Sequence, residues 1–274
     1  MEKCSFLKEI VMKQKVLLAI IVLLATTTLV QAQRELHGAF EVVYQSKYIW
    51  RGIDIYNDKS AIQPSVSLDL FGTGFGFSAM AHRANSSGAE AGERWDYTLN
   101  YKNALFGDES YATQYMIGWV YYNFPHMSSR VADLQEVYTA LSWPEILPVE
   151  GLVPTYVLVK LWPAEGGSTI GGNASGWAHI FMLDYGLSLE RLLPDYPDQV
   201  LRLHSELVYN DGVDPRGGVV DHDWSNAVLG IATDFKVAEN VTVTPGIYHQ
   251  ITMDRSINPD KDETWFMLST KYEF

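Results

Sequence analysis

A single cysteine, Cys4, is all that this 274-residue sequence contains. Any exported form that lost it would have no disulfide to constrain the unfolded chain. Basic clusters are missing as well, since 33 acidic side chains outnumber 20 basic ones for a net charge of −13. A duplex binder neutralises phosphates with grouped Lys and Arg, so nucleic acid is excluded as a partner. Beyond residue 32 no stretch approaches the 18 or so consecutive apolar residues that a helical membrane span requires.

The one long apolar run lies at the start, in KQKVLLAIIVLLATTTLVQA. Two lysines precede an apolar core from Val16 to Ala25, and Val30 and Ala32 stand at small-residue positions. This predicts a secretory signal peptide over residues 1–32, cut after Ala32, with Met12 as an alternative start. A core of about ten residues is half of what a spanning helix needs. Cleavage would remove Cys4 together with more lysines than acids, leaving the remainder more acidic still.

What the sequence does have is aromatic side chains, 16 Tyr and 8 Trp, the types that sit where apolar and aqueous phases meet. It also has period-2 alternation. In IQPSVSLDL, Ile62, Val66, Leu68 and Leu70 oppose Gln63, Ser65, Ser67 and Asp69. In RWDYTLNYK, Trp95, Tyr97, Leu99 and Tyr101 oppose Arg94, Asp96, Thr98 and Lys102, and in VLRLHSELVYN the polar set is Arg202, His204 and Glu206. Alternation at this period predicts strands with one apolar and one polar face. About twelve such segments follow one another, the first read as Phe40 to Trp50. Two of them, 131–143 and 177–193, also carry helical spacing, which leaves their type open.

The connections alternate between long polar loops such as RGIDIYNDKS and DRSINPDKDE and short turns such as FGTG and VAEN. The expected fold is therefore all-β: a transmembrane antiparallel up-and-down barrel of about 12 strands over residues 33–274, with long extracellular loops and short periplasmic turns. A soluble sandwich or lipocalin-like barrel also alternates, but its apolar face would be an aliphatic interior. Here tyrosines and tryptophans mark the ends of the apolar rows. Tyr48, Trp50, Trp95, Tyr101, Tyr209 and Tyr272 are expected at the two membrane interfaces.

The terminal stretch TWFMLSTKYEF alternates cleanly and finishes on Phe274. In a closed barrel the last strand must pair with the first, because unpaired backbone groups in hydrocarbon cost several kcal/mol each. This terminus also resembles the C-terminal signature read by the outer-membrane insertion machinery of Gram-negative bacteria, which implies that machinery as a partner and Phe274 as its signal. A second resemblance lies in VVYQSKYIWRGIDIYNDKSAIQPSVSLDL, residues 42–70. Tyr48, Trp50, Arg51 and Gly52, then Ala61 to Pro64 opening a strand, resemble the first hairpin of TorF-type porins. The resemblance implies an outer-membrane channel without naming its solute.

If the apolar rows meet lipid, the polar rows line a lumen. The candidates are Glu41, Lys47, Arg51, Asp69, Arg94, Asp96, Arg202, His204 and Glu206, with Glu136, Glu263, Lys271 and Glu273 beside them. Arg51 could equally reach the headgroups. Such a lumen would sort small polar solutes by size and charge without cofactor, metal or covalent chemistry. Other readings are a non-conducting structural or adhesive barrel and an outer-membrane lipid hydrolase. The hydrolase would need Ser and His together on the lipid face, and neither His126 with Ser128 nor His204 with Ser205 has that arrangement. The acidic runs Asp211, Asp214, Asp221, Asp223 and Asp254, Asp260, Asp262 lack calcium-loop spacing. They are expected as solvated loops facing lipopolysaccharide.

Overall fold

Each alternating row becomes a strand. The computed structural model describes residues 36–165, 175–191, 199–214, 220, 222–258 and 261–274. The twelve long strands are β1 His37–Gln45, β2 Ala61–Asp69, β3 Phe75–Ala84, β4 Arg94–Leu105, β5 Thr113–Asn123, β6 Leu134–Ser142, β7 Leu152–Pro163, β8 Gly176–Ser188, β9 Val200–Asp211, β10 Asp223–Thr233, β11 Val241–Thr252 and β12 Glu263–Glu273. A short piece, Phe235–Ala238, extends β10 along β11. The signal segment expected over 1–32 lies outside the described residues, as do Asp221 and Asp260.

Every long strand pairs antiparallel with its neighbours in the sequence, and β1 pairs with both β2 and β12. The sheet therefore closes and has no free edge. Along the seam Phe40 faces Tyr272 and Tyr44 faces Leu268. Gly38 and Phe274 exchange both backbone hydrogen bonds, at 2.9 and 3.0 Å, and the rings of Phe40 and Phe274 lie 5.1 Å apart. The terminal phenylalanine is a paired residue of the closing strand.

The burial pattern is inverted relative to a water-soluble protein. Phe40, Leu99, Leu229 and Ile247 are 47–55% exposed, whereas Arg94, Glu136, Gln250 and Glu263 are 0–3% exposed. An apolar row on the outside and ionised groups within is stable only where hydrocarbon surrounds the barrel, since a Lys or Arg facing lipid at mid-depth costs about 2–4 kcal/mol. The two segments that also fit helical spacing are strands: 131–143 contributes β6 after a four-residue helical turn, Ser129–Ala132, and 177–188 lies in β8. Pairing along the whole of each segment, Tyr138 with Val159 and Phe181 with Tyr156 for instance, satisfies backbone groups that an isolated helix could not add to a closed wall.

Two expectations need correction. The first strand stops at Gln45 instead of running to Trp50, and the chain turns inward there. Nor is every inner face polar. Val120, Leu134, Val159, Leu161, Ala178, Ile180 and Val208 form a buried apolar patch on the inner wall of β5–β9.

Two glycines on the inner wall lie beneath tyrosine rings on the adjoining strand. Gly118 is paired with Tyr138 and Gly230 with Tyr248. A Cβ at either position would sit 2.4 Å from a ring carbon. The ring occupies the volume that the missing side chain leaves and stiffens the wall there. Gly230→Ala should therefore destabilise the barrel by about 1–3 kcal/mol through overpacking. The measurement is the temperature at which the compact, heat-modifiable gel species is lost, which should fall.

Candidate functional site

The connection between β1 and β2, residues 46–60, is built to fold back. Ile49–Trp50 pairs with Ile53–Asp54 as a miniature hairpin. Its two turn residues, Arg51 and Gly52, both have positive φ, 54° and 81°, the requirement of a two-residue I′ turn. Glycine adopts this freely; for Arg51 it costs of order 1–2 kcal/mol and needs compensation from contacts. Asp54 organises the return, accepting hydrogen bonds from the backbone N–H groups of Tyr56 and Asp58 at 3.2 and 2.6 Å.

The hairpin lies inside the barrel. Tyr48 is 3% exposed and Tyr56 1%. Their rings lie 5.0 Å apart, and Tyr48 also stacks on His82 at 5.0 Å. The Tyr56 hydroxyl donates to the His82 carbonyl at 2.8 Å. The Arg94 guanidinium sits 3.4 Å from the centre of the Trp50 ring, and Tyr122 meets that ring edge-on at 5.2 Å. Arg94 is fixed in turn by a two-pronged bond to Asp96, at 2.7 and 3.0 Å. Asp96 contacts His82 at 2.8 Å and His82 contacts Gln63 at 2.7 Å. A buried cation held against an indole face in this way is a strong anchor.

At the tip, Arg51 donates to Glu136 on β6 at 2.6 Å, and the Tyr122 hydroxyl donates to the same carboxylate oxygen at 3.0 Å. On the opposite side Gln250 of β11 donates to the Gly52 carbonyl at 2.8 Å. A Cβ on Gly52 would lie 2.8 Å from the Asn226 side chain and 3.0 Å from Ile257. The loop thus crosses the lumen as a chord from the β1–β2 wall, touching β4–β6 on one flank and β10–β11 on the other. Between its tip and the inner wall of β8–β10 remains a cavity of about 320 Å³ lined by Trp50, Arg51, Ile180, Glu206, Val208 and Asn210, among others.

Tyr48 and Trp50 were expected on the membrane girdle, and the structure corrects this. Both are inside the barrel, because the bend after Gln45 carries their rows from the outer wall to the lumen. Trp95 and Tyr272 stand exposed on the outer surface. Tyr101 packs against the outward Phe75, and Tyr209 against the outward Trp224. Of the polar candidates, Arg94 and Asp96 bind each other under the loop. Arg202 pairs with Asp234 at 2.7 Å and His204 with Asp184 at 2.7 Å. Asp69 pairs with Lys102 at 3.2 Å near the short-turn rim, and Glu41 accepts a hydrogen bond from Ser269. Lys47 joins Glu263 and Asp58, each at 2.6 Å. Arg51 and Glu206 meet at the cavity. Sequence reasoning missed His82, Tyr122, Gln63 and Gln250, the partners that hold the loop. The discoverable signal was Arg51–Gly52 between Ile49–Trp50 and Ile53–Asp54, the pattern of a tight hairpin.

No family model matches the chain, and no curated protein matches it in sequence. Solved structures match it in shape. The KdgM porin superposes with a TM-score of 0.53 over 86% of this chain and 99% of its own, at 11% identity. The fold is that of outer-membrane porin barrels. A KdgM porin in complex with disordered oligogalacturonate gives 0.50 over 87% of this chain and 99% of that one, at 11% identity. An outer-membrane channel from Pseudomonas putida F1 gives 0.51 over 89% and 97%, at 10% identity.

Among the described residues, one carboxylate group is tight enough to suggest a cation: Asp54, Asp58 and Glu263, with ligand atoms within 4.8 Å of one another. The ammonium groups of Lys47 and Lys261 already serve it, Lys261 reaching Asp58 at 2.9 Å, so this chain itself matches two of the three negative charges. On the outer surface, Ser205 pairs with Leu229 and Leu229 with His249. Two strand spacings, roughly 10 Å, separate serine from histidine, too far for one to activate the other.

Two outcomes follow for the loop. Trp50→Ala should loosen it and raise single-channel conductance, with more open-channel noise; an indole on the lipid face would leave conductance unchanged. Asp58, at the loop's root, has its carboxyl pushed down to about 2 by hydrogen bonds from Lys47 and then Lys261. A depressed carboxylate contributes fully above its ordinary value of about 3.9 and ceases to contribute as pH falls through about 2. Conductance should therefore be insensitive to this clasp from neutral pH down to about 4, and Asp58→Asn should add noise throughout that range.

Proposed function

We propose that this chain is an outer-membrane porin through which small polar solutes diffuse past the inserted loop. The observation that carries the reading is a closed barrel with an apolar exterior and an interior narrowed by residues 46–60, beside which a cavity lined by Arg51 and Glu206 stays open. Electrostatics in such a constriction acts at short range and in a reduced dielectric, so paired charges there select solutes as well as size does. The export segment over residues 1–32, the aromatic closing strand ending at Phe274 as insertion signal, and the acidic long loops facing lipopolysaccharide belong to the same reading. The hairpin with Tyr48, Trp50, Arg51 and Gly52 supports membership of the TorF-type porins.

The KdgM complex with oligogalacturonate raises the question of acidic oligosaccharides as cargo. The charge balance argues otherwise. Arg51 is matched by Glu136, Arg94 by Asp96, Arg202 by Asp234 and Lys47 by Glu263, so a polyanion would find few cations free. A non-conducting surface barrel is the second reading, and the chord of loop across the lumen is what favours it.

Liposome swelling separates them. Purified protein should admit pentoses and exclude large oligosaccharides, and replacing residues 49–54 by a short glycine linker should raise the size cut-off. Vesicles that fail to swell in arabinose, with or without the deletion, would leave only the structural reading.

A further inference from the structure

We propose that the cavity beside the loop tip is a binding site for zwitterionic α-amino acids with aliphatic side chains, an inference that rests on the channel reading and gives it a solute class. Three features of the cavity point there. Arg51 of the loop tip lines the cavity and directs one terminal nitrogen to Glu136, while its other terminal nitrogen, Nη1, has no partner among the described residues. Glu206 of β9 lines the same cavity from the opposite wall, and among the described residues it makes no hydrogen bond or close ion pair. Between them the surface is aliphatic, made by Ala178, Ile180, Val208 and Val213.

Two further polar side chains there are already engaged. Asn210 exchanges hydrogen bonds with the Val213 backbone at 2.6 Å in both directions, and the Ser225 hydroxyl donates to Asn226 at 3.0 Å. What is left is the open donor of Arg51, the indole N–H of Trp50 and one carboxylate, set among apolar walls. Because Glu136 already matches the charge of Arg51, a lone anion would fill the open donor but set its charge against Glu206, and a lone cation would pair with Glu206 but leave that donor unfilled. A molecule carrying both charges a few bonds apart satisfies each at once, because charge-assisted hydrogen bonds are the strong ones. Its carboxylate meets Arg51, its ammonium meets Glu206, and a branched aliphatic side chain covers Ile180 and Val208. Space is sufficient, since about 320 Å³ lies at the small end of ligand sites. Glycine would lack the apolar contact, and an acidic or basic side chain would be buried against aliphatic groups at a cost.

The test uses the full-length protein in planar bilayers and reads the half-blocking concentration of the potassium chloride current. Valine should block at a concentration about tenfold below that of isobutylamine or 3-methylbutanoate, each of which carries one of its two charges, as expected for one additional charge-assisted contact. In Glu206→Gln, an isosteric change checked for folding by heat-shifted gel migration, the order should invert, with 3-methylbutanoate blocking better than valine. Titration calorimetry of valine into the detergent-solubilised wild-type and Glu206→Gln proteins reads the site without any current. Equal blocking by the three compounds, or an order unchanged by Glu206→Gln, overturns the site while leaving the channel intact. A silent bilayer with valine heat that Glu206→Gln abolishes would instead overturn the channel and keep the site.

Discussion

Backbone amides in hydrocarbon have no water to turn to, and this one constraint governs the molecule. It requires that the strands close, that the final strand find the first, and that the closing pair be as regular as any other. The register from Ala39 opposite Glu273 to Gln45 opposite Met267 runs without a break. Once the wall is closed, the sidedness of every strand is set: hydrocarbon takes the apolar row and the lumen takes what remains. Ionised groups are then gathered into a confined space where they must find partners among themselves.

They do so by way of the inserted loop. Arg94 and Asp96 belong to the wall, yet Arg94 is also the surface on which Trp50 rests. Glu136 belongs to the wall, yet its partner is the loop's Arg51. Wall charges thus supply the compensation that a strained arginine at the hairpin tip requires. The loop is accordingly a fixed part of the lumen, and the space it leaves open has a definite shape and polarity.

Much of this was legible in the sequence, for a physical reason. A sheet between two solvents alternates, so strand identity, outward faces and the pairing of the terminal strand with the first could be read directly. The direction of the chain after Gln45 could not. Tyr44, Tyr48 and Trp50 keep the parity of the outward row begun by Phe40 and Val42, so period alone carries the strand onward. What bends it inward are Arg94, Tyr122 and Glu136, partners far along the chain and invisible to a local window. In LVPTYVLVKLW both faces are apolar, and only the tertiary context of the loop explains why valines and leucines occur in a lumen. Arg51 and Glu206 were visible as charges, whereas their meeting at one cavity depends on the whole circuit of the wall.

The contact between Lys47 and Glu263 joins the root of the loop to the first residue of the closing strand. During biogenesis that contact can form only once the closing strand is in place, because Glu263 arrives with it. Sealing the cylinder and clasping the root of its obstruction are therefore one event, and the strand at the end of the chain fastens both.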